Sequence, residues 1–224
     1  MLKKILRRLG FGALVFVILC LVALEVWYRT LLPPQQPQPS VTSSSQLTRE
    51  MMWLYHCAGQ GRPRLRPIYP FLLGSLFRDP HSQGSLAAGV TRLLLSYDKP
   101  ERPLKRVFRE LALATWVSRH WTANEALDTY ASLVWMGDGR YGVAEGAAFF
   151  FGKDASQLTV AETALLIVMM RSPKAYNPLC HPARARKARD DLLERMLAAR
   201  LLDQQAVSKA LAADLGAQAV CEVT

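Results

Sequence analysis

Lys105, Arg106, Arg109 and Glu110 bring three cations and one carboxylate into a single short run, KRVFRE. Arg106 and Glu110 are one helical turn apart, so a helix would place both on one side. A carboxylate set among guanidinium groups suits work on an anion: the cations steady departing negative charge, and the carboxylate orients or deprotonates a partner. The same spacing also describes a surface ion pair worth about 0.3–0.5 kcal/mol. Both readings stand on spacing. His81, His120 and His181 have no ligand spacing, and Cys20, Cys57, Cys180 and Cys221 form no C-x-x-C, so no metal site is predicted. Cysteines beyond the first are read mainly as buried free thiols, with a disulfide between two of the last three as the alternative in an exported chain.

The run sits in a stretch, Pro103 to Trp121, whose Leu104, Val107, Phe108, Leu111, Ala114 and Thr115 recur at helical spacing and take one side, flanked by Lys105, Arg106, Arg109, Glu110 and Ser118. From Thr122 to Pro178 the pattern is helix, glycine-rich loop, short helix, loop, helix and an extended exit. Thr122–Glu125 and Thr159–Glu162 each read Thr-x-x-Glu, a capping box that opens a helix. Gly137, Gly139 and Gly142 with Asp138 specify a turn with positive φ or close backbone approach. Upstream, QLTREMMWLYHCAG reads as a helix, and QGSLAAGVTRLLLS as a glycine-led one. Ile68 to Phe77 is an apolar, aromatic group edged by arginines, consistent with a membrane-touching lobe or a core helix. Arg184 to Arg200 reads as an exposed helix with Leu192, Leu193, Met196 and Leu197 inward.

The N-terminus divides the chain. Lys3, Lys4, Arg7 and Arg8 form a basic segment (1–8) before an apolar helix (9–28) near the ~20 residues that cross a bilayer. Trp27 and Tyr28 fit an aromatic belt, Glu25 reaches water near the outer interface, and the cations keep the N-terminus in the cytoplasm. An uncleaved anchor is favoured over a signal peptide because no small-x-small site succeeds the apolar run. A Pro/Gln/Ser-rich spacer (29–45), a domain (46–215) and a tail (216–224) complete the division. Domain and tail together, about 180 residues, can bury roughly 70% of their unfolded surface and need no disulfide framework. The net charge of +10 suits anionic partners such as lipid head groups or a diphosphate. Nucleic acid is set aside, because the anchor exports the domain and no aromatic-interleaved basic groove is present.

The run from Lys105 to Pro178 resembles the peptidoglycan glycosyltransferase domain, glycosyltransferase family 51, in its monofunctional membrane-anchored form. The family's R-K-x-x-E motif is matched by Arg106 to Glu110, except that Val107 takes a cation's place, for which Lys105 and Arg109 could compensate. Its Y-G-V-containing motif is matched from Tyr130 to Lys153, through Gly137, Gly139, Tyr141, Gly142, Ala147, Gly152 and Lys153. L-T-x-A-E-x-A-L-L and P-x-x-Y-N-P are matched by Leu158 to Leu166 and Pro173 to Pro178. The resemblance implies a mainly α, lysozyme-like lobe with a smaller membrane-facing lobe, preceded by one transmembrane helix. It implies catalytic roles for Glu50, as general base, and Glu110, with Ser85, Lys105, Arg106, Arg109 and Ser132 binding substrate. Two motifs depart from the pattern. In EMMWLYHCAG the glutamate Glu50 is kept, but Met51, Leu54 and Cys57 replace Asp, Phe and His. In the second motif Gln83, Gly84 and Ser85 are kept, and Leu86 to Val90 supply no polar groups. Ser132 stands for an asparagine.

The resemblance implies one of two functions: a membrane-anchored enzyme polymerising lipid II into glycan strands, or an inactive relative that binds lipid-linked precursor, glycan or another cell-wall synthesis protein. The implied location is the bacterial cytoplasmic (inner) membrane, single-pass, with the C-terminal domain outside the cytoplasm. No cofactor is specified; a divalent metal stays open.

Overall fold

The computed structural model describes residues 2–56, 63–65, 67–68, 84–96 and 102–217, with side chains from residue 11 onward except at 84 and 85. Most of the apolar group from Ile68 to Phe77, apart from Ile68 itself, lies outside them, as do Cys57, His81, Gln83 and Cys221. The first helix, α1 (Leu2–Thr30), contains a 20-residue apolar span, Phe11–Thr30, long and apolar enough to cross a membrane. It begins well before residue 9, because the basic segment continues its helical pattern.

The core is helical, as the composition requires. It is built from α2 (Gln46–His56), α3 (Gly84–Ser96), α4 (Pro103–His120), α5 (Ala123–Leu133), α6 (Gly142–Phe151), α7 (Val160–Met169), α8 (Pro182–Ala198) and α9 (Gln204–Ala212). Beyond its first turn, which carries Glu162, helix α7 is apolar all round, with Leu165, Leu166, Ile167, Val168 and Met169 fully buried. A helix without a polar face must be enclosed, and α2, α6, α8 and α9 pack against it. Met51, Met52 and Trp53 bury three successive directions of α2. That helix is therefore enclosed by α5, α7 and α8 rather than laid on the surface. Helix α3 lies between α4 and α5.

Both capping boxes form. The Thr122 backbone N–H donates to Glu125 Oε2 at 2.7 Å while the Glu125 N–H donates to Thr122 Oγ1 at 3.2 Å. The same exchange joins Thr159 and Glu162 at 2.8 and 3.3 Å. Between α5 and α6 the glycine-rich loop closes a short antiparallel hairpin, β1 (Trp135–Gly137) with β2 (Arg140–Tyr141). Asp138 turns it at φ 50°. Gly142 follows at φ 81°, and a Cβ there would meet the Ser132 carbonyl oxygen at 2.7 Å, so close approach as well as turn geometry demands glycine.

Several expectations are corrected. The single apolar side of α4 divides in two: Leu104, Val107 and Phe108 are exposed, and the helix enters the core only from Ala112 onward. Arg189, in the basic cluster expected on an exposed helix, has no exposed surface. Its Nη1 and Nη2 donate to the carbonyls of Ala213 and Leu211 at 2.8 and 3.3 Å, which takes up free acceptors at the end of α9. Cys180 is disulfide-bonded rather than a free thiol, whereas Cys20 is free.

Candidate functional site

The carboxylate and cations of α4 stand at the edge of the fold. Glu110 is half-buried, and its Oε1 accepts from Arg92 Nε of α3 at 2.7 Å. Arg92 is the single charged residue of α3. Spacing alone predicts a partner for Glu110 on α4 itself, but the ion pair spans two helices and Arg106 has none among the described residues. Packing explains the change: α3 lies along α4, so a lone cation on an apolar helix reaches the nearest carboxylate, while Arg106 on the outer side remains exposed. Lys105 is also exposed and Arg109 is partly so. The result is a ridge where a carboxylate held by Arg92 shares the first half of α4 with Lys105, Arg106 and Arg109, a concentration of positive charge that favours an anion.

The end of α1 sets where that ridge lies. Glu25 accepts from Arg119 Nη1 of α4 at 2.9 and 3.1 Å, and the Arg119 guanidinium lies 5.1 Å over the ring of Tyr28, which is buried. Trp27 meets the exposed Phe108 edge-on with centroids 5.5 Å apart. Glu25 is thus a docking point between α1 and the domain as well as a group near water. The first half of α4, carrying Leu104, Val107 and Phe108 between cations, meets the C-terminal end of the apolar span through the Trp27–Phe108 contact. The segment after α1 is extended and fastened: Ser40 and Ser44 N–H groups donate to Thr129 Oγ1 and Asp128 Oδ1 at 2.9 and 3.0 Å. Asp128 also accepts two bonds from Arg49, at 2.9 and 2.8 Å, and this partner raises the arginine's pKa.

Glu50 is half-buried on α2 and accepts from Gln46 Nε2 at 2.8 Å. It lines a pocket of about 290 Å³ with Gln46, Arg49, Pro63 and Asn124. Glu110 and Arg92 do not line that pocket. Ser132 Oγ donates to Thr129 O of its own helix at 2.9 Å. Ser85 lies in the first turn of α3, and its side chain is outside the described ones. No group of three or more His, Cys, Asp or Glu side chains among the described residues could hold a metal ion.

His56, which the sequence places one position from the family's histidine, gains a definite setting in the fold. Its Nε2 is 3.2 Å from the Ile167 carbonyl, and its ring contacts Tyr55 and Tyr130. Burial pushes the imidazole down to about 4; the Ile167 bond opposes this, and the nearby Arg171 cation adds to it. His56 is therefore neutral at ordinary pH, at the foot of α2 where Arg171, Tyr55 and Tyr130 converge. Glu162 has a second role beyond its cap. Burial raises its carboxyl, but the Lys153 ammonium at 2.7 Å and the Thr159 bonds outweigh this and hold it below the usual range.

These features define a helical domain fastened to an apolar N-terminal helix, with a carboxylate-and-cation ridge beside that helix. A family model described as "Transglycosylase" matches residues 84–197, just over half of the chain, and the chain belongs to that family. The peptidoglycan glycosyltransferase resemblance is thereby established, along with the mainly helical fold. The matched residues contain Glu110, its partner Arg92 and the cations of α4; Glu50 lies before them. The chain is 35% identical over 105 residues to penicillin-binding protein 1A of Pseudomonas aeruginosa, covering 47% of this chain and 13% of that protein. It is 37% identical over 97 residues to penicillin-binding protein 1A of Aquifex aeolicus, covering 43% and 13%. The corresponding Neisseria lactamica protein is 30% identical over 137 residues, covering 59% and 17%. The chain thus spans a small part of the length of these relatives.

Proposed function

We propose that this chain is a membrane-anchored peptidoglycan glycosyltransferase that polymerises lipid II into glycan strands on the outer face of the bacterial cytoplasmic membrane. The observation that carries the reading is Glu110, fixed by Arg92 across two helices within the family-matched residues and flanked by Lys105, Arg106 and Arg109. A sugar transferred from a lipid-linked diphosphate leaves two phosphates' charge behind, and cations held at that point lower the barrier to departure. The adjacent Leu104, Val107 and Phe108 are what a lipid-linked donor needs, because its polyprenyl chain stays in the bilayer.

Glu50 enters as the proposed base on the acceptor hydroxyl. What supports it is a half-buried carboxylate in a polar pocket. Ser85 and Ser132 are proposed to bind substrate from the family match of their segments. Single-pass topology with the domain outside the cytoplasm is supported by the basic residues ahead of the apolar span and by the Cys180 disulfide, a bond favoured outside the reducing cytoplasm. The docking of Glu25 and Tyr28 on the domain supports a retained anchor rather than a cleaved peptide. Other cell-wall synthesis proteins are proposed as partners.

The test is glycan-strand formation from purified lipid II by the full chain in proteoliposomes, with and without divalent metal. Polymer is expected, and Glu50→Gln should abolish it. Absence of polymer under all metal conditions would leave the family fold with a binding role only. Polymer from Glu50→Gln at the wild-type rate would remove Glu50 from the mechanism while sparing the rest.

A further inference from the structure

Where α1 leaves its apolar span, a pocket of about 360 Å³ opens between the helix end, the extended segment after it and the last turns of α4. Tyr28, Arg29, Leu32, Gln36, Trp116 and His120 line it. It is separate from the Glu110 ridge and from the Glu50 pocket, and its polar groups have no part in the chemistry proposed above. They are of two kinds. Arg29 supplies positive charge: it is largely exposed and holds Glu25 through one nitrogen at 3.5 Å, while Glu25 is closer to Arg119 at 2.9 Å. Two cations thus share one carboxylate, and the neighbourhood keeps a net positive charge.

The other two groups are acceptors. Gln36 donates its Nε2 hydrogen to Pro33 O at 2.9 Å, while its Oε1 is buried and accepts no hydrogen bond among the described residues. A buried acceptor left unpaired costs about 1–3 kcal/mol, so a ligand with a hydroxyl donor gains by filling it. His120 commits Nδ1 to the Trp116 carbonyl at 2.8 Å, leaving Nε2 as an acceptor in the neutral ring. Its imidazole stacks on the Trp116 indole at 4.7 Å and 15°, which fixes the direction of Nε2.

One cation, two acceptors and an apolar wall of Leu32 and Tyr28 at the end of a membrane span describe a specific ligand. We infer that this pocket binds the headgroup of an anionic phospholipid whose phosphodiester carries a hydroxylated substituent, as in phosphatidylglycerol. The phosphate pairs with Arg29, and the glycerol hydroxyls donate to Gln36 Oε1 and His120 Nε2. The acyl chains continue along α1. Phosphatidylcholine offers no donor for either acceptor, and phosphatidylethanolamine brings no net negative charge. The site needs α1 in a bilayer but not the polymerisation chemistry, so it stands or falls apart from lipid II activity.

The full chain is placed in nanodiscs of phosphatidylcholine, phosphatidylethanolamine and phosphatidylglycerol in equal parts, and lipids retained on the released protein are counted by native mass spectrometry. Phosphatidylglycerol is expected on the wild-type chain in clear excess over the other two. Arg29→Gln should reduce retention about tenfold through loss of the charge-assisted contact. Gln36→Leu should remove the preference for the hydroxylated headgroup. His120→Phe keeps the ring stack and removes one acceptor, so it gives the same loss of preference should Gln36→Leu fail to fold. Millimolar glycerol phosphate should not displace the lipid; displacement would assign the site to a soluble phosphate instead. Equal retention of the three lipids, or wild-type retention in Arg29→Gln and His120→Phe, overturns the assignment.

Discussion

The lobe from Thr122 to Ala198 and the face made by the end of α1 with the first half of α4 solve opposite problems. In the lobe, polar groups that enter are given partners: two capping boxes, the Lys153–Glu162 pair, and a buried Arg189 that satisfies carbonyls of a neighbouring helix. At the face made by α1 and α4, apolar side chains are left outward, with Leu104 73% exposed and Phe108 41% exposed. Leaving such a surface open costs stability in water and is tolerated where a bilayer or a lipid-linked ligand covers it. The comparison teaches that stability sits in one region and binding capacity in the other. Substitutions should therefore separate: those in the lobe unfold the chain, and those on the face spare the fold.

The sharpest break in the lobe is Gly142→Ala. Its Cβ would adopt positive φ and meet the Ser132 carbonyl, so a loss of about 4 kcal/mol is expected in urea unfolding. Next is Asp128→Ala, which leaves Arg49 without its two bonds and releases the segment after α1. About 3 kcal/mol should be lost, and hydrogen exchange should rise at residues 40–44.

Comparable in size is a pH effect. Below 6.5 the unfolded chain takes up a proton at His56 that the folded chain refuses until about 4. Stability is therefore full above pH 6.5 and falls through this window, by about 3 kcal/mol at its acid end. His56→Asn should flatten that part of a melting-temperature profile, and a profile unchanged by the substitution would mean that His56 is solvated. Glu162 acts in the same direction at lower pH, because its carboxyl lies below the ordinary value and its contribution disappears as pH falls through it. A smaller effect is Thr159→Ala, about 1 kcal/mol from the lost cap. A side chain of the outer face, Leu104→Ser, should leave the melting temperature in water unchanged while weakening attachment to vesicles.

The lobe was legible in the sequence because its signals are local. A capping box spans four residues, and a glycine at positive φ declares itself by type, so Thr122, Thr159 and Gly142 could be placed without any tertiary information. The face made by the end of α1 and the first half of α4 was less legible for the converse reason. Periodicity at Leu104, Val107 and Phe108 reports an apolar side but not what covers it. The partner of Glu110 was missed because Arg92 lies 18 residues away on another helix. A usable signal was present, since a lone arginine on an otherwise apolar helix must find an anion or the surface. The docking of Glu25 on Arg119 spans 94 residues and had no local trace. The chemistry of His56 was not legible because burial, which sets it, is a property of packed helices and not of residue type.

The central claim is that the α4 ridge acts on a lipid-linked diphosphate, and Glu110→Gln tests it most directly. The substitution keeps the shape and leaves one hydrogen bond to Arg92 while removing the charge. Lipid II polymerisation by wild type and variant would be compared in the same proteoliposomes, with melting temperatures measured alongside. The account predicts strand formation by the wild type and a rate lower by about 100-fold or more in the variant, at unchanged melting temperature. Equal rates from the two proteins would contradict it.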